Sequence, residues 1–330
     1  MKKFLLKRKV ALVMVVGTLL SIISVGFISN YYITDFLVEN KKERAFYTSV
    51  EQSHESAEIF RSSALFLHTV RETLPIAEYL TTKDPLLNES IYEKLEHLVE
   101  DEFNYLSIYI LDRNGTTQLS TDEAFLYENY SFRSYYQKSI MGEASIDFAV
   151  GTTSGKLGYY FSEPVFDNNK SIVGVIVLMV DPNEINSGLS NNLLEHNSTL
   201  MITSDKGVIL ASTDDTRLLK SLGKLTEQQL YDLALEKKYA NNYMGYLAYD
   251  DIQREILNYK KDAILQFYNE EDRGKDLMSV LKIGNSNFFL VTETHLETVH
   301  IEIANIIFVN IATLASIMII CSIIVYLLLV

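Results

Sequence analysis

The stretch Tyr105-Leu106-Ser107-Ile108-Tyr109-Ile110-Leu111-Asp112-Arg113-Asn114-Gly115-Thr116-Thr117-Gln118-Leu119-Ser120-Thr121-Asp122 reads as a β-hairpin. Tyr105 to Leu111 is rich in β-formers, and Thr116 to Ser120 is the returning strand. Asn-Gly between two such runs is a strong hairpin signal, because both turn residues must tolerate positive φ. A second stretch echoes it. Thr199 to Thr203 reads as a strand, Asp205-Lys206-Gly207 as a turn, and Val208 to Ala211 as the return, followed by Ser212-Thr213-Asp214. The order Asp, Gly, Ser-Thr-Asp recurs, with one residue fewer in the second turn. The echo implies two copies of one α/β module in tandem, joined near Asp181–Asn192.

Working outward, strands are expected at Ile146 to Val150 and Gly158 to Val165. Another, Ser171 to Val180, is almost continuously apolar, as a strand buried on both faces would be. After the second hairpin comes a polar, helical insert from Thr226 to about Asp272, then a final strand from Asn287 to Glu293. A short helix is expected after Pro85. Upstream, Asp35 to Leu80 reads as one long helix. Phe46, Val50, Ser53, Ala57, Phe60, Ala64, Leu67, Val70, Leu74 and Ala77 recur at spacings of three and four, which makes a single apolar stripe. The stripe suits packing on its own domain. Its small residues also suit a stalk that contacts a second protomer.

The two ends differ from everything between them. Val10 to Thr34 and Ile303 to Val330 carry no charge, runs of about 25 and about 28 residues. A helix needs roughly 20 apolar residues to cross the hydrocarbon core. Lys2, Lys3, Lys7, Arg8 and Lys9 precede the first run, which keeps the N-terminus cytoplasmic and places residues 35–302 outside the membrane. A cleaved signal peptide fits less well. The apolar stretch is longer than the roughly 7–15 residues of such a segment, and Tyr31 and Tyr32 are too bulky for a cleavage site. The net charge of −14 excludes a nucleic-acid partner. The only cysteine is Cys321, so no disulfide forms within the chain.

Polar and aromatic residues concentrate between Tyr130 and Ser162. Arg133 offers a rigid fork for a carboxylate, tyrosines offer flat walls with a hydrogen-bonding tip, and hydroxyls near a Gly-rich turn can satisfy further acceptors. The same composition also suits a plain core with an exposed arginine. Gly151-Thr152-Thr153-Ser154-Gly155-Lys156 is one residue too short for a P-loop, and Leu157 stands where a magnesium-binding Ser or Thr would be. The six histidines are scattered, and His295 and His300 read as a solvated juxtamembrane face. The adjacent pairs Asp214-Asp215, Asp250-Asp251 and Glu270-Glu271 read as solvated surface rather than calcium sites. No enzyme, metal or cofactor is expected.

Three segments carry a resemblance: Ser131-Phe132-Arg133-Ser134-Tyr135-Tyr136-Gln137, Gly151 to Lys156, and Gly158-Tyr159-Tyr160-Phe161-Ser162-Glu163-Pro164-Val165. They resemble the membrane-distal half of double Cache sensor domains, most of all those of bacterial dicarboxylate sensor histidine kinases. Gly207 to Asp214 with Ser221-Leu222-Gly223 is similar to the membrane-proximal half. The resemblance covers roughly Asp35 to Leu296. It implies a ligand held by Arg133, Tyr135 and Tyr136 on the helix-loop side and by Thr152, Thr153 and Tyr160 on the strand side. Where family members place a charged residue on the last strand of that half, this chain has Met179 or Leu178, and neither is charged.

The expected fold is α+β: a long N-terminal helix with two tandem PAS-like antiparallel-sheet modules, flanked by two transmembrane helices. The divisions are 1–9 cytoplasmic, 10–34 first span, 35–98 stalk helix and connection, 99–185 distal module, 186–302 proximal module and 303–330 second span. The expected function is the extracytoplasmic sensing region of a two-pass plasma-membrane receptor, working as a homodimer and binding a small organic ligand, a carboxylate, at Arg133, Tyr135, Tyr136, Thr152, Thr153, Tyr160 and Met179. An output domain would lie beyond Val330. The alternatives are a structural or partner-binding surface protein without a small ligand, and an extracytoplasmic enzyme.

Overall fold

The structure is a computed structural model describing residues 2–101, 104–183, 198–239, 242–243, 245–269 and 274–329. These divide into two compact units, residues 1–47, 266–277 and 294–330 in one, and residues 48–265 and 278–293 in the other. In the smaller unit, helix α1 (Lys2–Thr73) begins and helix α7 (Glu297–Leu329) ends the chain. By length and composition, one stretch among the described residues suffices to cross a membrane, Ile303–Cys321, with mean hydropathy 2.3. The N-terminal apolar stretch is shorter, Val16–Ile28. The His295 imidazole lies 2.9 Å from the Asp276 carboxylate and is three-quarters buried, so it is not the solvated group expected from its place near the span.

In the larger unit, α1 ends at Thr73 rather than running on to Leu80, and a separate helix α2 (Ile76–Thr82) follows. Pro75 explains the break, because the residue before a proline is pushed out of the helical region. Helix α3 (Pro85–Asp101) then leads into the first sheet. Its strands are β1 (Tyr105–Asp112), β2 (Thr117–Ser120), β3 (Ser145–Val150), β4 (Leu157–Phe166) and β5 (Ile172–Val180), in the spatial order β2-β1-β5-β4-β3. Helix α4 (Ser134–Ile140) lies between β2 and β3 in the chain.

The second sheet repeats this order. Its strands are β6 (Ser198–Ser204), β7 (Ile209–Ser212), β8 (Ala263–Asn269), β9 (Gly274–Lys282) and β10 (Phe288–His295), arranged β7-β6-β10-β9-β8. The insert holds helices α5 (Glu227–Leu235) and α6 (Asp250–Leu257) but ends in strand β8, and β9 follows it; the sequence reading places neither strand. The short apolar runs Ile264-Leu265 with Phe267-Tyr268, and Leu277-Met278 with Val280-Leu281, are the available signal. The expected module junction, Asp181–Asn192, falls largely outside the described residues, as does Glu270-Glu271.

The repeat is closer than the sequence echo suggested. Asp112 in the first hairpin and Ser204 in the second play the same part. Each accepts the N–H of the turn glycine on its backbone carbonyl, Gly115 at 3.0 Å and Gly207 at 2.9 Å. Each side chain also accepts the N–H of the residue four places on. The two turns are therefore equal in length. The expected deletion arose from matching Asp112 to Asp205. Further on, Thr121 and Thr213 cap Ile108 and Leu200 through the same 3.0 Å bond, and Asp122 and Asp214 each cap a 3-10 turn. Tyr127 and Leu219, at the same place in each copy, both adopt positive φ.

Helix α1 supplies the core on one face of the first sheet. Phe60 packs against Tyr159 at 5.2 Å, Phe161 at 6.1 Å and Phe288 at 5.5 Å between ring centroids. Leu67 and Val70 continue the row, and the helix also buries Ser49, Gln52, Ser53, Ser56 and Ser63. Small serines let the backbone approach the sheets. The Ser49 and Ser279 hydroxyls bond at 2.7 Å, and Ser53 donates to the Lys282 carbonyl at 3.1 Å.

Candidate functional site

Strand alternation sends every second side chain of the first sheet away from α1. Ile108, Ile110, Ile176 and Leu178 join the α1 core, while Tyr109, Leu111, Val175, Val177 and Met179 face the other side. Of the two residues expected to stand for the missing charge, Met179 therefore faces the site and Leu178 does not. There it meets Tyr130, Tyr135, Tyr136 and Tyr160 in one buried aromatic cluster with Phe125. Gly158 makes room for it, since a Cβ there would lie 2.6 Å from the Met179 methyl carbon.

The cluster is ordered by its rings and hydroxyls. Tyr135 stacks on Tyr160 at 5.2 Å, and Tyr109 stacks on Phe125 at 5.2 Å. The Tyr109 and Tyr135 hydroxyls bond to each other at 2.8 Å, and Tyr136 donates to the Arg113 carbonyl at 2.8 Å. Tyr130 and Thr153 share a 2.8 Å hydroxyl bond, which brings Thr153 to the rim. Burial pushes the hydroxyls of Tyr109, Tyr135 and Tyr160 well up, so they stay protonated. The nearby Arg133 charge opposes this at Tyr135 and Tyr160. The Tyr160 hydroxyl is buried and has no hydrogen-bond partner.

Arg133 precedes α4 and is 2% exposed. Its Nη2 donates to the Val150 carbonyl at 2.7 Å, and its Nη1 donates to the carbonyls of Glu236 and Lys237 at 3.3 and 3.1 Å. The last two carbonyls end helix α5, where the helix dipole favours a cation. Its Nε has no partner. Thr152 is placed differently from the other expected residues. It is exposed on a groove of about 610 Å³ that also takes in Val150, Leu230, Lys237 and Tyr243.

Sequence reasoning missed a buried ion pair beside the cluster. Asp147 lies directly across β3 and β4 from Tyr160. Its carboxylate meets the Lys238 ammonium at 2.6 Å and accepts from the Ser134 hydroxyl. Burial pushes the Asp147 carboxyl up, but Lys238 and these hydrogen bonds hold it below its ordinary value. Burial pushes Lys238 down, but Asp147 holds it above its ordinary value. The Val150 N–H donates to the Lys238 carbonyl at 2.9 Å, so the segment after α5 straps onto β3. No local signal linked Lys238 to Asp147.

The second sheet closes its corresponding place with its own side chains. Arg217 occupies the repeat position of Phe125, three residues after the capping aspartate. It is bonded to Glu293, which is fully buried and also accepts from the Tyr249 hydroxyl at 3.0 Å. Asp214 is a helix-turn cap and an Arg217 partner, at 3.1 Å, rather than an idle surface charge.

Residues 38–299 match the Cache domain family in its double form. The chain belongs to that family. This double Cache sensor domain is 34% identical over 138 residues to the C4-dicarboxylate transport sensor protein DctB of Pseudomonas aeruginosa. That match takes in 41% of this chain and 22% of DctB. In fold it is similar to the V. cholerae histidine kinase DctB sensor domain, with TM-score 0.61 and 21% identity over 79% of this chain and 97% of that one. It is also similar to the ligand-binding domain of the P. aeruginosa PAO1 amino-acid chemoreceptor PctB in complex with L-Arg, with TM-score 0.56, 12% identity, and 79% and 97% coverage. Double Cache relatives are thus ligand-binding sensor domains of both histidine kinases and chemoreceptors.

Proposed function

We propose that this chain is the extracytoplasmic sensing region of a transmembrane receptor and that it binds a small organic carboxylate in the first-sheet cluster. The observation that carries the reading is Arg133: a buried guanidinium whose Nε lacks a partner, close to an equally unpartnered Tyr160 hydroxyl. Buried polar groups are ordinarily satisfied, and a buried unpaired polar group costs about 1–3 kcal/mol or more. A ligand carboxylate accepts from both. Arg133, Tyr135, Tyr136, Thr153, Tyr160 and Met179 form or rim the site, and Thr152 lines the groove outside it. Two relatives support the reading: one is a C4-dicarboxylate transport sensor, the other is a chemoreceptor domain in complex with L-Arg, and both compounds carry carboxylates.

Two charge-free ends, 10–34 and 303–330, anchor the domain in the plasma membrane with residues 35–302 outside. Ligand binding favours one of two states, and the membrane helices carry the difference inward, as a homodimer, to an output domain. The test is thermal unfolding of the full chain in detergent against small carboxylates and amino acids. A ligand at about 100 times its dissociation constant adds roughly 2.7 kcal/mol. The rise in midpoint should vanish in Arg133→Ala. No rise with any compound favours a structural or partner-binding surface protein instead.

A further inference from the structure

We infer that the first-sheet site selects organic monoanions over dianions, and that the Asp147–Lys238 pair sets this selection. The inference rests on the ligand-site reading above and adds the charge of the ligand.

The count of charges starts with Arg133. All its hydrogen-bond partners are neutral carbonyls, those of Val150, Glu236 and Lys237. Among the described residues no carboxylate pairs with it. A buried cation without a counter-ion costs several kcal/mol, and one ligand carboxylate removes that cost.

A second carboxylate finds nothing equally buried: the Lys237 ammonium lies 4.9 Å over the Phe132 ring that Arg133 also faces, but it is exposed to solvent, which screens it. The next cation is the half-buried Lys238, and its ammonium is held by Asp147 at 2.6 Å and lies 3.9 Å from the Glu236 carboxylate. Asp147 is itself saturated, taking Lys238, the Ser134 hydroxyl and the Phe148 N–H. Two carboxylates thus share one ammonium, and Asp147 is the one directly opposite Tyr160 across the strands. Among the described residues a dianion therefore meets one buried cation without a carboxylate partner, Arg133, and the carboxylates of Asp147 and Glu236 already placed around Lys238. On the other side of Tyr160 from Asp147 is Met179, a thioether seated over Gly158, which suits an apolar or neutral ligand tail. The raised tyrosine hydroxyls add neutral donors and no charge.

The experiment compares succinate with monomethyl succinate, nearly the same length but one charge fewer, and butyrate as the apolar member. Binding to the full chain in detergent is read by isothermal titration calorimetry. Monomethyl succinate and butyrate should bind about tenfold or more tighter than succinate, since like charges set together cost several kcal/mol. Asp147→Asn, which leaves Lys238 with only the more distant Glu236 carboxylate, should narrow that ratio. Succinate binding as tightly as its monoester in the unmodified chain overturns the inference and leaves the carboxylate site standing. No carboxylate of either charge binding overturns the site itself and the inference with it.

Discussion

The guanidinium of Arg133 donates to the carbonyl of Lys237 at 3.1 Å, joining residues on opposite sides of the sequence repeat. Arg133 belongs to the first-sheet half and Lys237 to the segment after α5 in the second. This buried cation, which has no carboxylate partner among the described residues, is thus also a clasp between the halves. Arg133→Met should destabilise the full chain by roughly 3 kcal/mol, since it leaves the Val150, Glu236 and Lys237 carbonyls without their charged donor. Arg133→Lys keeps the charge but not the fork, and should recover part of the loss. Thermal unfolding in detergent, without ligand, measures both.

Asp147 and Lys238 set a pH dependence. Asp147 is held below its ordinary range, so its contribution is present above about pH 4 and lost as pH falls through the folded value. Lys238 is held above its ordinary range, so its contribution is present below about pH 10 and lost as pH rises through the folded value. Asp147→Asn should cost about 3 kcal/mol at neutral pH, because it leaves the largely buried Lys238 ammonium with only the Glu236 carboxylate, 3.9 Å away. The gap from the unmodified chain should close on acidification below about pH 4, as followed by circular dichroism.

The repeat offers a matched pair of glycines. Gly115 has φ +79°, and a Cβ there would lie 2.7 Å from the Ser131 backbone nitrogen. Gly207 has φ +74°, but its Cβ would meet only the Gln253 side chain, at 3.3 Å. Gly207→Ala should cost about 1–2 kcal/mol for the left-handed backbone. Gly115→Ala should cost about 2–5 kcal/mol, because backbone must move as well. Unfolding midpoints of the two variants, measured side by side, test the order.

Arg217 and Glu293 make a further test. Arg217→Met leaves the fully buried Glu293 carboxylate with Tyr249 as its remaining named partner, and should cost about 3–5 kcal/mol. The double variant with Glu293→Gln should be more stable than the single one. A double-mutant cycle on unfolding free energies gives the answer.

The parts legible in sequence were local ones. Asn114-Gly115 marked a hairpin because turn chemistry acts over four residues, and Ser-Thr-Asp marked the repeat because each residue caps its own strand or turn. Arg133, Tyr135, Tyr136 and Tyr160 read as one group, and the structure gathers them. The missed parts depend on long-range contact. Nothing near Lys238 announces Asp147, and β8 and β9 become strands because they complete a sheet built on β6 and β10. Thr152 shared the motif of Thr153, but one residue along the turn it faces the outer groove instead of the cluster.

The most direct test of the carboxylate site is fluorine NMR of the full chain in detergent with 3-fluorotyrosine placed at position 160. Titration with monomethyl succinate, butyrate, lactate and succinate should shift that resonance saturably with at least one of them, and Arg133→Ala should abolish the shift. A Tyr160 resonance that stays fixed across the series, or that moves equally in Arg133→Ala, would contradict the account.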